Sequence, residues 1–209
     1  MTTTEGTTTT TGADMTDSAR VPTTPITGVY GGLLKMVMKK MVGGVPESAG
    51  VMWNNPRVFK DMMGIGRKAE KWSELDPGLG SLAGMAAAAE IGCSACLDLG
   101  YFLAHDKGLD EAKAREVPRW RTSEAFTPLE RRVTEYAVAM CRLPVGVTDE
   151  MSAALLADLG APALLELTAR VGFMNMSARS NIALGIRSQE FAAACGLEPR
   201  ASPDAAAPA

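Results

Sequence analysis

The sequence has very few of the residues on which several functional classes depend. It has one histidine, His105, in 209 residues, which excludes most hydrolase triads and most histidine-based metal sites. Its 21 basic and 24 acidic residues leave a net charge of −3 and therefore no broad attraction for nucleic acid or an anionic membrane. No stretch approaches the roughly 18 to 20 consecutive apolar residues of a membrane span. We therefore expect neither a nucleic-acid-binding protein nor a membrane protein.

The marks of a secreted protein and of common cofactor sites are also missing. No apolar segment precedes a small-residue cleavage site near the N-terminus, so we expect no signal peptide. Four cysteines in such a chain argue against a framework of structural disulfides. Glycine-rich phosphate loops of the Walker or dinucleotide type are absent. The sequence therefore predicts a cytoplasmic protein and gives no indication of a metal or an organic cofactor.

The two ends of the chain differ in composition from its middle. Residues 1–20 contain nine threonines and too little apolar material to offset the entropy cost of ordering. Residues 198–209 are rich in alanine and proline. We predict that both tails are disordered and that residues 21–197 form a single domain, since 46% of the chain is hydrophobic.

The hydrophobic period between the tails is helical almost everywhere, and no convincing alternating β-segment is present. One apolar face follows the segment Thr127-Pro128-Leu129-Glu130, which is a capping box with proline at the first helical position. Further helices are predicted over 33–42, over 56–72 and from the start signals Asp76-Pro77, Thr148-Asp149 and Ala161-Pro162. The sequence therefore predicts an all-α fold.

The strongest chemical signal is the pair Cys93 and Cys96, which two residues separate. On a helix the two positions lie about 60° apart around the axis and about 4.5 Å apart along it, which permits a reversible disulfide. Gly92 is expected to divide the preceding alanine-rich helix from a new one that begins at Cys93. The free N–H groups and the dipole of that helix would favour the thiolate, which is the form that attacks a peroxide or a disulfide.

Three interpretations of this pair are open. A redox dithiol is favoured, because an isolated Cys-x-x-Cys is typical of such chemistry. A zinc site needs at least two further ligands, whereas Cys141 and Cys195 are single residues far downstream. The third interpretation is two small buried hydrophobes on a core helix, and it is the favoured one for Cys141 and Cys195.

Several neighbours of the pair are candidates for proton transfer. Glu90 lies one turn before Cys93 and would serve as a proton acceptor if the helix ran through Gly92, whereas a solvated helix-terminal charge is the alternative. His105 lies nine residues after Cys96, so a continuous helix would rotate it by about 180° and displace it by about 13 Å. We therefore expect it to be a helix-end residue, and the alternative is a histidine that reaches the site of a neighbouring subunit.

Two further neighbours are not expected to take part. Gly100, one turn after Cys96, is predicted to leave open space beside the sulfur. Asp98 points roughly 160° away from Cys96 on a helix and is a poor candidate for contact with it.

The order of the motifs carries a family resemblance over roughly residues 45–190. Downstream of Gly92-Cys93-x-x-Cys96 stand Gly108-Leu109, Thr127-Pro128-Leu129-Glu130, Val147-Thr148-Asp149-Glu150, Glu166-Leu167-Thr168, Asn175-x-x-x-Arg179 and Leu184-Gly185-Ile186. This arrangement resembles the carboxymuconolactone decarboxylase-like superfamily, in its alkylhydroperoxidase AhpD-like branch. The resemblance implies an AhpD-like helical domain that assembles as a homo-oligomeric helix bundle, commonly a trimer or a hexamer.

The resemblance also implies a dithiol peroxidase. The Cys96 thiolate would attack an organic hydroperoxide and become a sulfenic acid, which Cys93 would resolve to a disulfide. A dithiol donor, such as a lipoyl-bearing or thioredoxin-like protein, would then reduce the pair. Asn175 and Arg179 would belong to a polar wall near the site or a subunit interface, while their i, i+4 spacing alone favours a hydrogen-bonded pair that orders helix packing.

The chain departs from the family's peroxidase pattern at three positions that transfer protons. Gly100 stands where the pattern has a histidine, Ser81 where it has a glutamate, and Ala95 where the best-known member has a histidine between the cysteines. General acid–base help is worth about 10²–10⁴-fold in rate, so the chain without it would be a slow peroxidase unless Glu90, Tyr101 or a residue of another helix substitutes.

Other functions remain open beside the peroxidase. The same cysteines would serve a dithiol–disulfide oxidoreductase or a redox sensor without peroxidase turnover. A non-redox lyase of the carboxymuconolactone decarboxylase kind would use Arg179 as an anion ligand. A structural helical oligomer would keep both cysteines as core residues.

Overall fold

The computed structural model describes residues 19–104, 108–188 and 190. Both predicted tails, apart from Ala19 and Arg20, lie outside these residues, as do His105 and Cys195. The described chain contains the helices α1 (Gly28–Val42), α2 (Glu47–Met52), α3 (Pro56–Ala69), α4 (Pro77–Ile91), α5 (Ser94–Ala104), α6 (Glu111–Glu116), α7 (Pro128–Cys141) and α8 (Asp149–Ala183). It contains no strand within those limits, so the all-α prediction is confirmed.

Local sequence signals set where the main helices begin. The Asp76 side chain accepts the Leu79 N–H at the start of α4. Thr127 and Glu130 form the predicted capping box, in which each side chain accepts the other residue's N–H. The sequence did not predict α2 and α6, because six residues are too few to show a helical hydrophobic period.

The alanine-rich helix α4 forms the centre of the fold. It packs against α5, α7 and α8, and it is buried on several sides because its small side chains allow these neighbours to approach closely. The main core, which α4 shares with α7 and α8, contains Ala83, Ala87, Val133, Tyr136, Ala137, Leu155, Leu167 and Val171.

The long helix α8 bends at Gly160, which has φ 77° and ψ 165°. Residues other than glycine rarely adopt this backbone conformation. The two helix starts predicted at Thr148-Asp149 and Ala161-Pro162 are therefore both present, on either side of the bend. Arg20 caps the C-terminal end of α8. Its guanidinium donates to the carbonyls of Ile182 and Ala183, and its backbone N–H donates to the carbonyl of Leu184.

A buried ion pair ties α8 to the segment before α4. The Glu166 carboxylate is 6% exposed and accepts N–H bonds from Glu74 and Leu75 at 2.8 and 3.2 Å. Arg170 donates to the same carboxylate at 2.8 Å and also to the carbonyls of Ala69 and Trp72. This network fixes the entry of α4 into the core.

Helices α1 to α3 surround a small apolar cluster of their own. Its buried members are Ile26, Ala49, Trp53 and Phe59. The predicted helix over 33–42 is confirmed but begins earlier, at Gly28. The predicted helix over 56–72 ends at Ala69.

By length and composition alone, α8 is the one helix of the described chain that could cross a membrane. Core helices pass the same test, and α8 packs against α4, α5 and α7. Its charged residues Glu166 and Arg170 form the buried pair described above.

Candidate active site

The two cysteines lie at the junction of α4 and α5. Gly92 ends α4 in the left-handed conformation, with φ 83°, so the predicted break at this glycine is confirmed. The chain then turns at Cys93, and α5 begins at Ser94. Cys93 occupies the N-cap position, because its carbonyl accepts the Leu97 N–H and its Sγ accepts the Cys96 N–H at 3.2 Å.

Cys93 and Cys96 are joined by a disulfide, with their Cα atoms 5.3 Å apart. Both residues are buried, with Ala88 of α4 and Ala178 of α8 in the same apolar cluster. Cys96 is the more exposed of the two, at 9% against 1% for Cys93. Cys96 is therefore the less deeply buried residue of the pair.

Asn181 of α8 donates its side-chain amide to the Cys96 Sγ at 3.3 Å. An N–H donor at this distance stabilises negative charge on sulfur, so the same contact would favour the Cys96 thiolate once the disulfide is reduced. Sequence reasoning missed this residue, because 85 positions separate it from Cys96 and no local spacing links the two helices.

The segment that follows α8 lies across the first turn of α5. The Ser188 N–H donates to Ser94 Oγ at 3.1 Å, and the Ser188 hydroxyl donates to Asp98 Oδ2 at 2.9 Å. Asp98 is 1% exposed, so α5 directs this carboxylate to the segment after α8. The two serines and Asp98 hold that segment beside the cysteine turn.

The space predicted beside Gly100 is not there. A Cβ at Gly100 would lie 2.9 Å from the Met85 side chain, so Met85 of α4 occupies the place that the glycine was expected to leave open. The flexible methionine fills a gap in the core that a larger residue at position 100 would otherwise fill.

The two candidate proton relays lie in different surroundings. Glu90 is an exposed residue whose carboxylate is 3.8 Å from both Arg121 and Arg142. Glu90 was expected to act as a proton acceptor only if one helix ran through Gly92. The helix ends before Gly92, so this condition is not met. Tyr101 is 2% exposed, and its hydroxyl donates to Glu111 Oε1 at 3.4 Å. Their roles in proton transfer stay predictions.

Asn175 and Arg179 share a face of α8 as predicted, and both reach Cys141 at the end of α7. The Asn175 amide donates to Cys141 Sγ at 3.3 Å, and the Arg179 guanidinium donates to the Cys141 carbonyl at 2.6 Å. The pKa of the Cys141 thiol is raised overall, and burial is the largest cause. Glu90 raises it further, whereas Asn175 and Arg179 lower it. The contacts of this pair join α8 to α7.

No group of three or more histidine, cysteine, aspartate or glutamate residues in the described chain is arranged to hold a metal ion. The side chain that contacts the disulfide at a sulfur is Asn181.

Known proteins resemble the chain in sequence and in fold. The sequence model of the carboxymuconolactone decarboxylase family matches residues 56–139. The uncharacterised protein YnjA of Escherichia coli K12 is 36% identical over 127 residues, which cover 61% of this chain and 70% of that protein.

Two solved structures share the fold at low sequence identity. The alkylhydroperoxidase AhpD core of a peroxidase-related protein from Ralstonia eutropha JMP134 has a TM-score of 0.74 at 17% identity, covering 83% of this chain and 94% of that one. A cysteine-to-alanine variant of the debrominase Bmp8, in complex with 2,3,4-tribromopyrrole, has a TM-score of 0.70 at 19% identity, covering 84% and 97%. The predicted AhpD-like fold is thereby confirmed.

Proposed function

The chain belongs to the carboxymuconolactone decarboxylase family, and on this premise we propose that it is a thiol-dependent peroxidase that reduces organic hydroperoxides through Cys93 and Cys96. The observation that carries the proposal is the disulfide between these residues at the first turn of α5. A helix N-terminus favours thiolates, which are the nucleophiles that cleave a peroxide bond.

The Cys96 thiolate attacks the terminal oxygen of the hydroperoxide. The O–O bond breaks, Cys96 becomes a sulfenic acid, and the alkoxide leaves and takes up a proton as the alcohol. The greater exposure of Cys96 and the Asn181 amide at its sulfur support this residue as the nucleophile.

The Cys93 thiolate then attacks the Cys96 sulfenic acid. An S–S bond forms, and hydroxide leaves and is protonated to water. The Cys96 N–H at 3.2 Å from the Cys93 sulfur supports Cys93 as a stabilised second thiolate. A dithiol donor returns both cysteines to thiols and is itself oxidised to a disulfide. We propose a lipoyl-bearing or thioredoxin-like protein as this donor.

A second candidate is a dithiol–disulfide oxidoreductase or redox sensor without peroxidase turnover. Met85 favours it, because this side chain occupies the space beside Gly100, where the family's peroxidase pattern has a histidine. Without that acid–base group, peroxide turnover would be slow, and the Cys93–Cys96 disulfide would instead be reduced by exchange with a dithiol partner, which becomes the disulfide in its place.

The deciding experiment measures consumption of cumene hydroperoxide with dihydrolipoamide as the donor. Cys96→Ser is expected to abolish turnover, and Cys93→Ser is expected to stop the cycle at a sulfenic acid that dimedone traps on Cys96. Cys141→Ser is the matched control and is expected to keep turnover. Unchanged turnover in Cys96→Ser would refute the peroxidase, and one round of oxidation without turnover would support the second candidate.

The same assay with 2,3,4-tribromopyrrole tests whether the shared fold extends to the chemistry of the debrominase Bmp8. Release of bromide that depends on Cys96 would place the substrate outside the hydroperoxides. We also propose a homo-oligomer, a trimer or a hexamer. Light scattering on the eluting protein measures its mass against the 22.0 kDa of one chain.

A further inference from the structure

The residue that contacts the Cys96 sulfur, Asn181, lies in the last turn of α8, and a tight turn closes this helix end. Gly185 has a φ of 72°, which is the left-handed conformation that favours glycine. The Ile186 N–H donates to the Asn181 carbonyl at 2.9 Å, and the Gly185 N–H donates to the Ile182 carbonyl at 3.0 Å. These two bonds form a Schellman motif. The turn therefore fixes the backbone of Asn181.

Arg20 holds the same turn from outside the helix. Its guanidinium donates to the carbonyls of Ile182 and Ala183 at 2.7 and 2.9 Å, and its backbone N–H donates to the carbonyl of Leu184 at 2.8 Å. A Cβ at Gly185 would lie 3.0 Å from both the Cγ and the backbone nitrogen of Arg20, so the two residues pack closely. Arg20 therefore binds carbonyls that the end of a helix leaves without an intrahelical partner.

The segment that follows this turn is bound to α5. The Ser188 N–H donates to Ser94 Oγ at 3.1 Å, and the Ser188 hydroxyl donates to Asp98 Oδ2 at 2.9 Å. Asp98 is 1% exposed, so this contact attaches Ser188 to the folded core. On α5, Cys96 is rotated by about 160–200° from Ser94 and Asp98. The chain from Asn181 to Ser188 therefore contacts opposite faces of the first turns of α5.

We call residues 181–188 the end segment. We propose that the end segment holds the Asn181 amide on the Cys96 sulfur and thereby sets the reactivity of this thiolate, with Arg20 and Ser188 as positioning residues. This inference rests on the proposed role of Cys96 as the nucleophile of the peroxidase. Asn181 contacts the sulfur, and the two positioning residues act through it. A hydrogen bond depends steeply on distance and angle, so a small displacement of the end segment weakens the bond at 3.3 Å.

The test measures how fast iodoacetamide alkylates Cys96 in reduced protein between pH 5 and pH 10, with peptide mass spectrometry to separate the cysteines. Ser188→Ala and Arg20→Ala are each expected to lower the rate at pH 7 about threefold, because a weakened hydrogen bond changes an equilibrium by about that factor. The midpoint of the pH profile is expected to move upwards in both variants. Arg20→Lys keeps a charged donor and is expected to retain most of the rate.

The matched control is a cap at the opposite end of the same helix. The Thr148 hydroxyl accepts the Met151 N–H at the start of α8, so Thr148→Ala weakens the helix at a place remote from Asn181. The rate at Cys96 and its pH profile are expected to stay unchanged in this variant. A loss as large as that of Ser188→Ala would assign the effect to general stability and overturn the inference.

A double-mutant cycle decides whether the positioning residues act through Asn181. In the Asn181→Ala background, addition of Ser188→Ala or Arg20→Ala is expected to cause no further loss of rate at Cys96. A full threefold loss in that background would overturn the inference, and so would an unchanged rate in both single variants. Alkylation needs no peroxide, so the measurement decides the inference even if cumene hydroperoxide is not consumed and the proposed peroxidase is wrong.

Discussion

The side-chain amide of Asn181 lies 3.3 Å from the sulfur of Cys96 and donates to it, although 85 residues separate the two in sequence. The contact joins the last turns of α8 to the first turn of α5. It gives the Cys96 sulfur a side-chain donor from a distant part of the sequence, beside the local Cys96 N–H that donates to the Cys93 sulfur.

Removal of this donor should slow the chemistry of Cys96. In reduced protein, Asn181→Ala is expected to lower the rate of Cys96 alkylation by iodoacetamide at pH 7 by about tenfold, because a hydrogen bond to a charged group contributes about 1.5–3 kcal/mol. Peptide mass spectrometry follows the rate at each cysteine. Asn175→Ala is the matched control, since its amide contacts Cys141. Equal rates at Cys96 in both variants would show that Asn181 does not stabilise the thiolate.

Cys141 should be the slow thiol of the described chain. Its burial raises the pKa of the thiol, so less thiolate is present at neutral pH than for an ordinary cysteine. We expect iodoacetamide to label Cys141 slowly in the native protein and rapidly in denaturant. The native rate should keep rising above pH 9, the ordinary value. Rapid labelling at pH 7 without denaturant would contradict the buried position.

Glu166 should make stability depend on pH. Burial raises the pKa of its carboxyl, but the Arg170 hydrogen bond, the Glu74 and Leu75 N–H groups and the Arg170 charge together hold it below the ordinary 4.5. A lowered pKa means that the ionised carboxylate stabilises the fold fully above the ordinary value and that this contribution is lost as the pH falls through the lowered value.

Urea unfolding between pH 3 and pH 7 measures this dependence. Glu166→Gln is expected to cost about 1–3 kcal/mol at pH 7 and to flatten the loss of stability in the acidic range. Asp158→Asn, which removes the exposed pair with Arg132, is the comparison and should cost at most about 1 kcal/mol. If the free energy of unfolding of Glu166→Gln still falls as steeply below pH 5 as that of the wild type, other carboxylates cause the pH dependence.

The bend of α8 should require glycine at position 160. Gly160→Ala is expected to destabilise the protein by about 1–3 kcal/mol, because its φ of 77° and ψ of 165° are strained for any side chain. Space is not the limit, since the nearest atom to a Cβ there is 3.9 Å away in Pro162.

Substitution of Gly172, on the same helix, is expected to stabilise the protein. A Cβ there would meet nothing within 4 Å, and its backbone is helical, so Gly172→Ala is expected to stabilise by about 0.5–1 kcal/mol. Thermal unfolding of both variants makes the comparison. A loss of equal size at both positions would indicate that the bend is not the cause.

Local features of the fold could be predicted from the sequence. The capping box of Thr127 and Glu130, the start of α4 at Asp76 and the break at Gly92 depend on residues within four positions of one another. Such interactions act in the unfolded chain as they do in the fold, so their patterns are readable in sequence. The short helices α2 and α6 were not predicted, because tertiary contacts stabilise them and they show no hydrophobic period in the sequence.

The surroundings of the cysteines could be predicted only in part. The pair itself and its position at the start of a helix follow from spacing, and so does the shared face of Asn175 and Arg179. The partners do not, because Asn181 reaches Cys96, and Asn175 reaches Cys141, only after α8 has packed against α5 and α7. Packing also decides that Met85 fills the space beside Gly100.

The disulfide joins residues only three positions apart, so it closes a very short ring. Closing so small a ring restricts the unfolded chain by about 2 kcal/mol in the chain-entropy description, against nearly 5 kcal/mol for a hundred-residue ring. Breaking this bond is therefore expected to lower the free energy of unfolding by less than half as much as breaking a hundred-residue ring would. If the pair cycles as proposed, the scaffold is expected to keep the same fold in both oxidation states.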